Sequence, residues 1–263
     1  MRRNLIMHVY PKACHPNWRR AVEHVRQRLD QFDGRRIVSV AYDTLTDTPD
    51  MVRDAFGDGE VEIQAIRNGP LQEVESFPRL LESVSDLDGA TFYCHAKGCT
   101  HCSPLAASHV WCDVMAEVCL DYPELVDCAL SQYDICGAFR SRQPIMGPVS
   151  PEWHFAGTWY WFRNDALFSR EWREVDGALW GAEAYSGRKF AYDRSCCLFF
   201  DGAQSLHLYD PETWENSVLP GLDLWRKSLA RVGLQPLVPH RDYRRVGGLS
   251  VEQQRMPGRT CNV

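Results

Sequence analysis

Ala90-Thr91-Phe92-Tyr93-Cys94-His95-Ala96-Lys97-Gly98 is an apolar run that turns basic at its end and stops on a glycine. Six residues, 90–95, are too few for a buried helix and suit a strand covered on both faces. Residues two apart share a side of the pleat, so His95 and Lys97 fall side by side. Gly98 then permits close approach of backbone to a ligand. A histidine and a lysine at a strand's carboxyl end suit a diphosphate. The plainer reading is a strand that reaches the surface with polar ends.

Upstream, strand-like and helix-like segments alternate. Residues 5–10, 35–42 and 61–66 read as strands. Residues 18–32 carry Trp18, Ala21, Val22, Val25 and Leu29 on one helical face. Residues 48–56 suggest a second helix, stopped by Gly57-Asp58-Gly59, and 73–84 a third with Val74, Phe77, Leu80, Leu81 and Val84 inward. Strands separated by helices predict an α/β fold with a mostly parallel sheet flanked by helices. Ligands of such sheets bind beyond the carboxyl ends of the strands. That rule marks Tyr10, Asp43, Arg67, Asn68, His95, Lys97 and Gly98.

Downstream the pattern predicts a helix over 105–120, a strand over 135–140 and a proline-rich loop over 143–151. An aromatic strand over 154–163, a glycine-punctuated stretch over 177–187 and a last strand over 196–200 follow. Residues 1–240 read as one domain and 241–263 as a loosely ordered, basic tail without periodicity.

With 263 residues and a formal net charge of -6, the chain lacks the surplus of cations that a general nucleic-acid binder needs. The apolar start is interrupted by His8 and ends at Pro11-Lys12, too short for a secretion signal. No stretch approaches the roughly 20 apolar residues of a membrane span, so a cytoplasmic location is expected. Eleven cysteines in a chain of this length favour reduced thiols, several of them buried, over a disulfide scaffold. P-loop, G-x-G-x-x-G, G-x-S-x-G and H-E-x-x-H patterns are absent from the sequence.

Two further clusters carry chemistry. In His154-Phe155-Ala156-Gly157-Thr158-Trp159-Tyr160-Trp161-Phe162-Arg163, aromatic rings offer faces on which a sugar can stack. Trp161 and Phe162 suit a packed core instead, whereas His154, Gly157, Thr158 and Trp159 are candidates for a sugar or acceptor site. In Leu179-Trp180-Gly181-Ala182-Glu183-Ala184-Tyr185, a carboxylate among aromatics suits a general base, with Trp180 and Tyr185 limiting water around it. The alternative is a helix-start glutamate favoured by the macrodipole. Asp176, before Gly177, is the rival base and looks more like a turn residue.

The His-Ala-Lys-Gly strand end, the Phe-Ala-Gly-Thr-Trp-Tyr-Trp-Phe-Arg-Asn-Asp-Ala-Leu segment and the late Trp-Gly-Ala-Glu together resemble GT-A-type glycosyltransferases, and within them the bacterial rhamnan-synthesis-like group. The resemblance covers most of residues 4–210, although only the first two segments are specific. It implies a Rossmann-like GT-A fold and a nucleotide-sugar donor held by Tyr10, Asp43, Asn68, His95, Lys97 and Gly98. A glycan or other hydroxyl acceptor would sit near His154, Gly157, Thr158, Trp159, Trp180 and Tyr185. Trp180-Gly181-Ala182-Glu183 is similar to the element that supplies the base in many inverting members, which implies that role for Glu183. The chain departs from the family where an Asp-x-Asp normally holds Mg or Mn against the diphosphate. His95-Ala96-Lys97 stands there, so metal dependence stays open, with His95 and His207 as possible ligands. Two other readings remain: a catalytically inactive carbohydrate-binding protein of the same fold, and a zinc protein using Cys99, His101, Cys102, His109 and Cys112.

Overall fold

The computed structural model describes residues 1–15, 17–96, 106–145, 150–204, 207–240 and 243. Strands β1 (Arg3–Val9), β2 (Arg36–Tyr42), β3 (Glu62–Arg67) and β4 (Ala90–His95) run parallel in the order β3-β2-β1-β4. Helices α1 (Asn17–Arg26), α2 (Pro49–Phe56) and α3 (Glu73–Glu82) make the connections. After α4 (Ala106–Leu120) and α5 (Pro123–Gln132) come β5 (Ile135–Ala138) and a two-stranded ribbon of β6 (Arg140–Ser141) and β7 (His154–Phe155). Strand β8 (Tyr160–Arg163), α6 (Asn164–Phe168), α7 (Gly181–Lys189) and β9 (Ser195–Phe199) follow, then α8 (Pro211–Thr213) and α9 (Leu219–Arg231). The full sheet reads β3-β2-β1-β4-β8-β5-β9. Strand β8 is antiparallel to both neighbours, while β5 and β9 are parallel to each other. Six of the seven strands therefore share one direction. The expected Rossmann-like, mostly parallel sheet flanked by helices is the fold this chain adopts.

Alternation along the strands splits the core in two. Leu5, Met7, Val38, Phe92, Trp159 and Trp161 pack beneath α1, α2, α4 and α5. Ile6, Ile37, Tyr93, Tyr160 and Phe162 face α3, α6 and α7. The buried positions that the helical spacing assigned to α1 and α3 are indeed buried.

Several boundaries differ from the expectation. The helix read over 18–32 ends at Arg26 and gives way to a 3-10 turn at Leu29–Gln31. The strand read over 135–140 breaks at Phe139, whose φ is 57°. The aromatic strand read over 154–163 is two strands. Gly157 (φ 93°) and Thr158 (φ 59°) reverse the chain between them, so β7 joins the ribbon and β8 enters the main sheet. Gly157 also lies against the Met115 thioether, where a Cβ would collide. Within 241–263, read as a loose tail, only Tyr243 is described, and it is buried with its hydroxyl donating to Glu117.

Candidate functional site at the carboxyl edge of the sheet

A helix that feeds a parallel strand begins at the sheet's carboxyl edge and runs back. Helices α3 and α7 both do so, entering β4 and β9, and they are neighbours: Phe77 meets Tyr185 edge-on with ring centroids 4.8 Å apart. The first turns of these helices carry Glu73 and Glu183. Two carboxylates thus stand at one edge and on one face of the sheet.

Three predicted residues from separate strand ends meet there. Asp43 Oδ2 accepts from the Tyr10 hydroxyl at 2.9 Å and from Asn68 Nδ2 at 2.9 Å, and its Oδ1 accepts from the Leu45 amide at 2.7 Å. Burial pushes the Asp43 carboxyl up, but these donors outweigh it and hold the group below the usual carboxylate range. Burial, then the adjacent carboxylate, raises the Tyr10 phenol to about 12. The cluster is an anion with fixed donors around it, which can accept hydrogen bonds from hydroxyl groups of a ribose or sugar.

The chain order reverses between β1 and β4, because β2 and β3 lie on one side of β1 and everything later lies on the other. This is the topological switch point, the usual ligand crevice of such sheets. His8 and His95 are register partners across it. The Nδ1 of His95 is bound to Glu73 Oε2, and that of His8 to Ser76 Oγ at 2.7 Å. Burial lowers the His8 pKa to about 4, so this imidazole is neutral at pH 7. Lys97 and Gly98 lie outside the described residues, as do Cys99, His101 and Cys102 of the zinc reading. The remaining members of that reading are engaged otherwise: His109 Nε2 bonds Asn17 Oδ1, and Cys112 is buried in the α4 core. Cys14, Cys94, Cys119, Cys128, Cys136, Cys196 and Cys197 are free thiols.

Glu183 is nearly buried, and its Oε1 lies 3.8 Å from His154 Nε2, within electrostatic reach but beyond a direct hydrogen bond. Trp180 caps α7 in the left-handed conformation (φ 74°) and stays 42% exposed. Gly181 follows because the Asp176 carbonyl occupies the space a Cβ would need. Asp176 itself pairs with Arg188 at 3.3 Å. Tyr185 is buried, its hydroxyl donating to the Trp172 carbonyl at 2.7 Å. Thr158 holds a β-branched side chain at positive φ, a strained state, and its Oγ1 is buried without a hydrogen-bond partner among the described residues. Trp159 is buried against Phe92, and its Nε1 donates to the His95 carbonyl at 3.0 Å. His207 is exposed in a 3-10 turn.

Glu73, His8 and Ser76 escaped the sequence reading. An acidic residue opening a helix is ordinary, and a histidine inside an apolar strand gives no period to detect. Only the packing of α3 across β1 and β4 brings them together. A depression of about 550 Å³ lies at the opposite, amino edge, lined by Met1, Asp86, Asp88, Arg163 and Asp165 among others. Its lining holds no histidine or cysteine. No helix of the described residues is long and apolar enough to cross a membrane.

No family model matches the chain, and no curated protein matches its sequence. Among solved structures it is similar to a 4-diphosphocytidyl-2C-methyl-D-erythritol synthase, with 15% identity, a TM-score of 0.42, and coverage of 78% of this chain and 91% of that one. A putative nucleotide-diphospho-sugar transferase from Desulfovibrio desulfuricans G20 is similar at 15% identity and a TM-score of 0.41, covering 88% and 98%. The glucosyl-3-phosphoglycerate synthase of M. tuberculosis is similar at 13% identity and a TM-score of 0.44, covering 89% and 81%.

Proposed function

We propose that this chain is a glycosyltransferase that moves a sugar from a nucleotide-diphosphate-sugar donor to a hydroxyl acceptor, with inversion, in glycan or polysaccharide biosynthesis. The rhamnan-synthesis-like resemblance of its two specific segments makes a hexosyl or deoxyhexosyl donor the first choice. The observation that supports this most is the convergence, at one edge and face of the sheet, of the Tyr10–Asp43–Asn68 cluster, the switch-point histidines and the buried Glu183. Transfer needs both a donor binder and a base, and the candidates for the two roles lie at the same edge and face of the sheet.

In this reading the nucleoside end of the donor lies over Tyr10, Asp43 and Asn68. Its diphosphate lies over His95, Lys97 and Gly98. The acceptor enters past the exposed Trp180, beside Gly157 and Thr158, with Trp159 and Tyr185 behind the pocket wall. Glu183 takes the proton of the acceptor hydroxyl as that oxygen bonds to the anomeric carbon. The bond from that carbon to the phosphate oxygen breaks, and the nucleoside diphosphate leaves. His154 is placed to steady the charge on Glu183. The nucleotide sugar is a substrate, not a resident cofactor.

A thermal-shift screen of nucleoside-diphosphate sugars tests the reading. A donor that binds the folded state alone, at 100 times its Kd, stabilises by about 2.7 kcal/mol, a clear rise in Tm. Absence of any rise across the uridine, guanosine, thymidine and cytidine series would overturn it.

A further inference from the structure

Helices α1 and α4 follow the neighbouring parallel strands β1 and β4, so both begin at the carboxyl edge of the sheet. They run side by side and in step. Arg20 on α1 donates to Asp113 on α4 at 2.6 Å, and eight residues further along both chains Arg28 donates to Asp121 at 2.6 Å. Three residues before the first pair, the same register sets Asn17 beside the start of α4, and there His109 Nε2 donates to Asn17 Oδ1. Two parallel helix dipoles with their positive ends level repel each other and favour a negative charge between them. Neither helix supplies one. Their first turns hold no acidic residue, and Asp113, the first carboxylate along α4, is engaged by Arg20 and His24.

Polar side chains in these turns are buried with part of their hydrogen-bonding capacity unused. Asn17 is 4% exposed and Ser108 1%. Among the described residues Asn17 Nδ2, Ser108 Oγ and Trp18 Nε1 have no hydrogen-bond partner. The Asn17 oxygen is bonded to His109, so the planar carboxamide lies between the two helix starts and its Nδ2 lies there with it. Ser108 is the neighbour of His109 in the same turn of α4. A buried donor left unpaired is costly. Several of them where two helix N-termini meet suit a ligand that only accepts hydrogen bonds and carries negative charge.

We propose that the paired starts of α1 and α4 bind a phosphate-class oxyanion, held by Asn17 Nδ2, Ser108 Oγ and the backbone amides of the two first turns. The group is free phosphate or the phosphate of a small monoester. The pocket lies on the α1 and α4 side of the sheet, opposite α3 and α7 with Glu73 and Glu183. Its independence of the donor diphosphate is the one clause that rests on the transferase reading.

The test titrates the full chain with inorganic phosphate and, separately, with glucose 6-phosphate, by calorimetry at constant ionic strength in chloride. One saturable site per chain is expected. Asn17→Asp puts a carboxylate where the anion would lie, so it should weaken phosphate binding at least about tenfold. It should also raise the Tm of the anion-free protein, because it neutralises both helix starts. Ser108→Ala should weaken phosphate about tenfold with an equal or higher Tm, since it removes a buried hydroxyl that nothing satisfies. Tighter binding of glucose 6-phosphate than of phosphate assigns the pocket to an ester, and the reverse order assigns it to the free ion. Lack of saturable binding of both probes, or equal affinity of Asn17→Asp and wild type, overturns the pocket. Nucleotide-sugar binding that persists in that case leaves the transferase reading standing. Loss of nucleotide-sugar and phosphate binding together in Asn17→Asp overturns the independence of the pocket from the donor. Phosphate binding without any nucleotide-sugar affinity supports the pocket and removes the transferase reading.

Discussion

Glu183 and Trp159 separate chemistry from packing at the scale of one residue. Glu183→Gln keeps the volume and removes the base, so turnover should fall about 10²–10⁴-fold. Donor affinity and Tm should stay near wild type, because among the described residues the carboxylate makes no direct hydrogen bond that the amide would lose. Wild-type turnover by the Gln variant would move the base to another group. Trp159 is the reverse case. Its indole is buried and closes a hydrogen bond to the β4 carbonyl of His95. Trp159→Ala should cost about 3–5 kcal/mol of stability, read as a large drop in Tm. A stable but inactive variant would return Trp159 to the role of a sugar platform.

The elements show what the sequence made legible. Tyr10, Asp43 and Asn68 could be found because the carboxyl-edge rule needs only strand ends, and apolar runs mark those well. The split of residues 154–163 was hidden because aromatics at nearly every position outweigh a single Gly157-Thr158 turn. The direction of β8 was equally hidden, since period-two alternation looks the same in parallel and antiparallel strands. Glu73 and His8 are 65 positions apart, and a residue pair at that distance leaves no local trace. The contact between α1 and α4 was illegible for the same reason. Asp113 on α4 is buried and accepts from both Arg20 and His24 on α1. Burial raises its pKa, but these two donors prevail and lower it to about 2. Asp113→Asn leaves buried donors facing a neutral amide, so it should cost about 3–5 kcal/mol at pH 7. A depressed carboxylate pKa stabilises above the unfolded value of about 4 and ceases to as pH falls through about 2. Denaturation across pH should therefore show the gap between wild type and variant narrowing by about 2 kcal/mol from pH 4 to pH 2. A gap independent of pH would mean that Asp113 stabilises by shape alone.

The molecule as a whole is closed by four residues. Strand β8 is wedged between β4 and β5, and it joins a half-sheet built from residues 3–95 to one built from 135–199. During synthesis β4 leaves the ribosome some 65 residues before its outer partner. At about 5–20 residues per second, it waits roughly 3–13 s with a row of unpaired amides and carbonyls beside an apolar surface. Such an edge recruits other strands. A chain cut just before Tyr160 would keep that edge permanently, and light scattering should find it aggregating, whereas one cut after β9 should stay dispersed. Equal dispersion of both would show that the edge is guarded by something other than β8. For this protein the vulnerable interval is one of time: seconds of translation in which four late residues are still owed to the sheet.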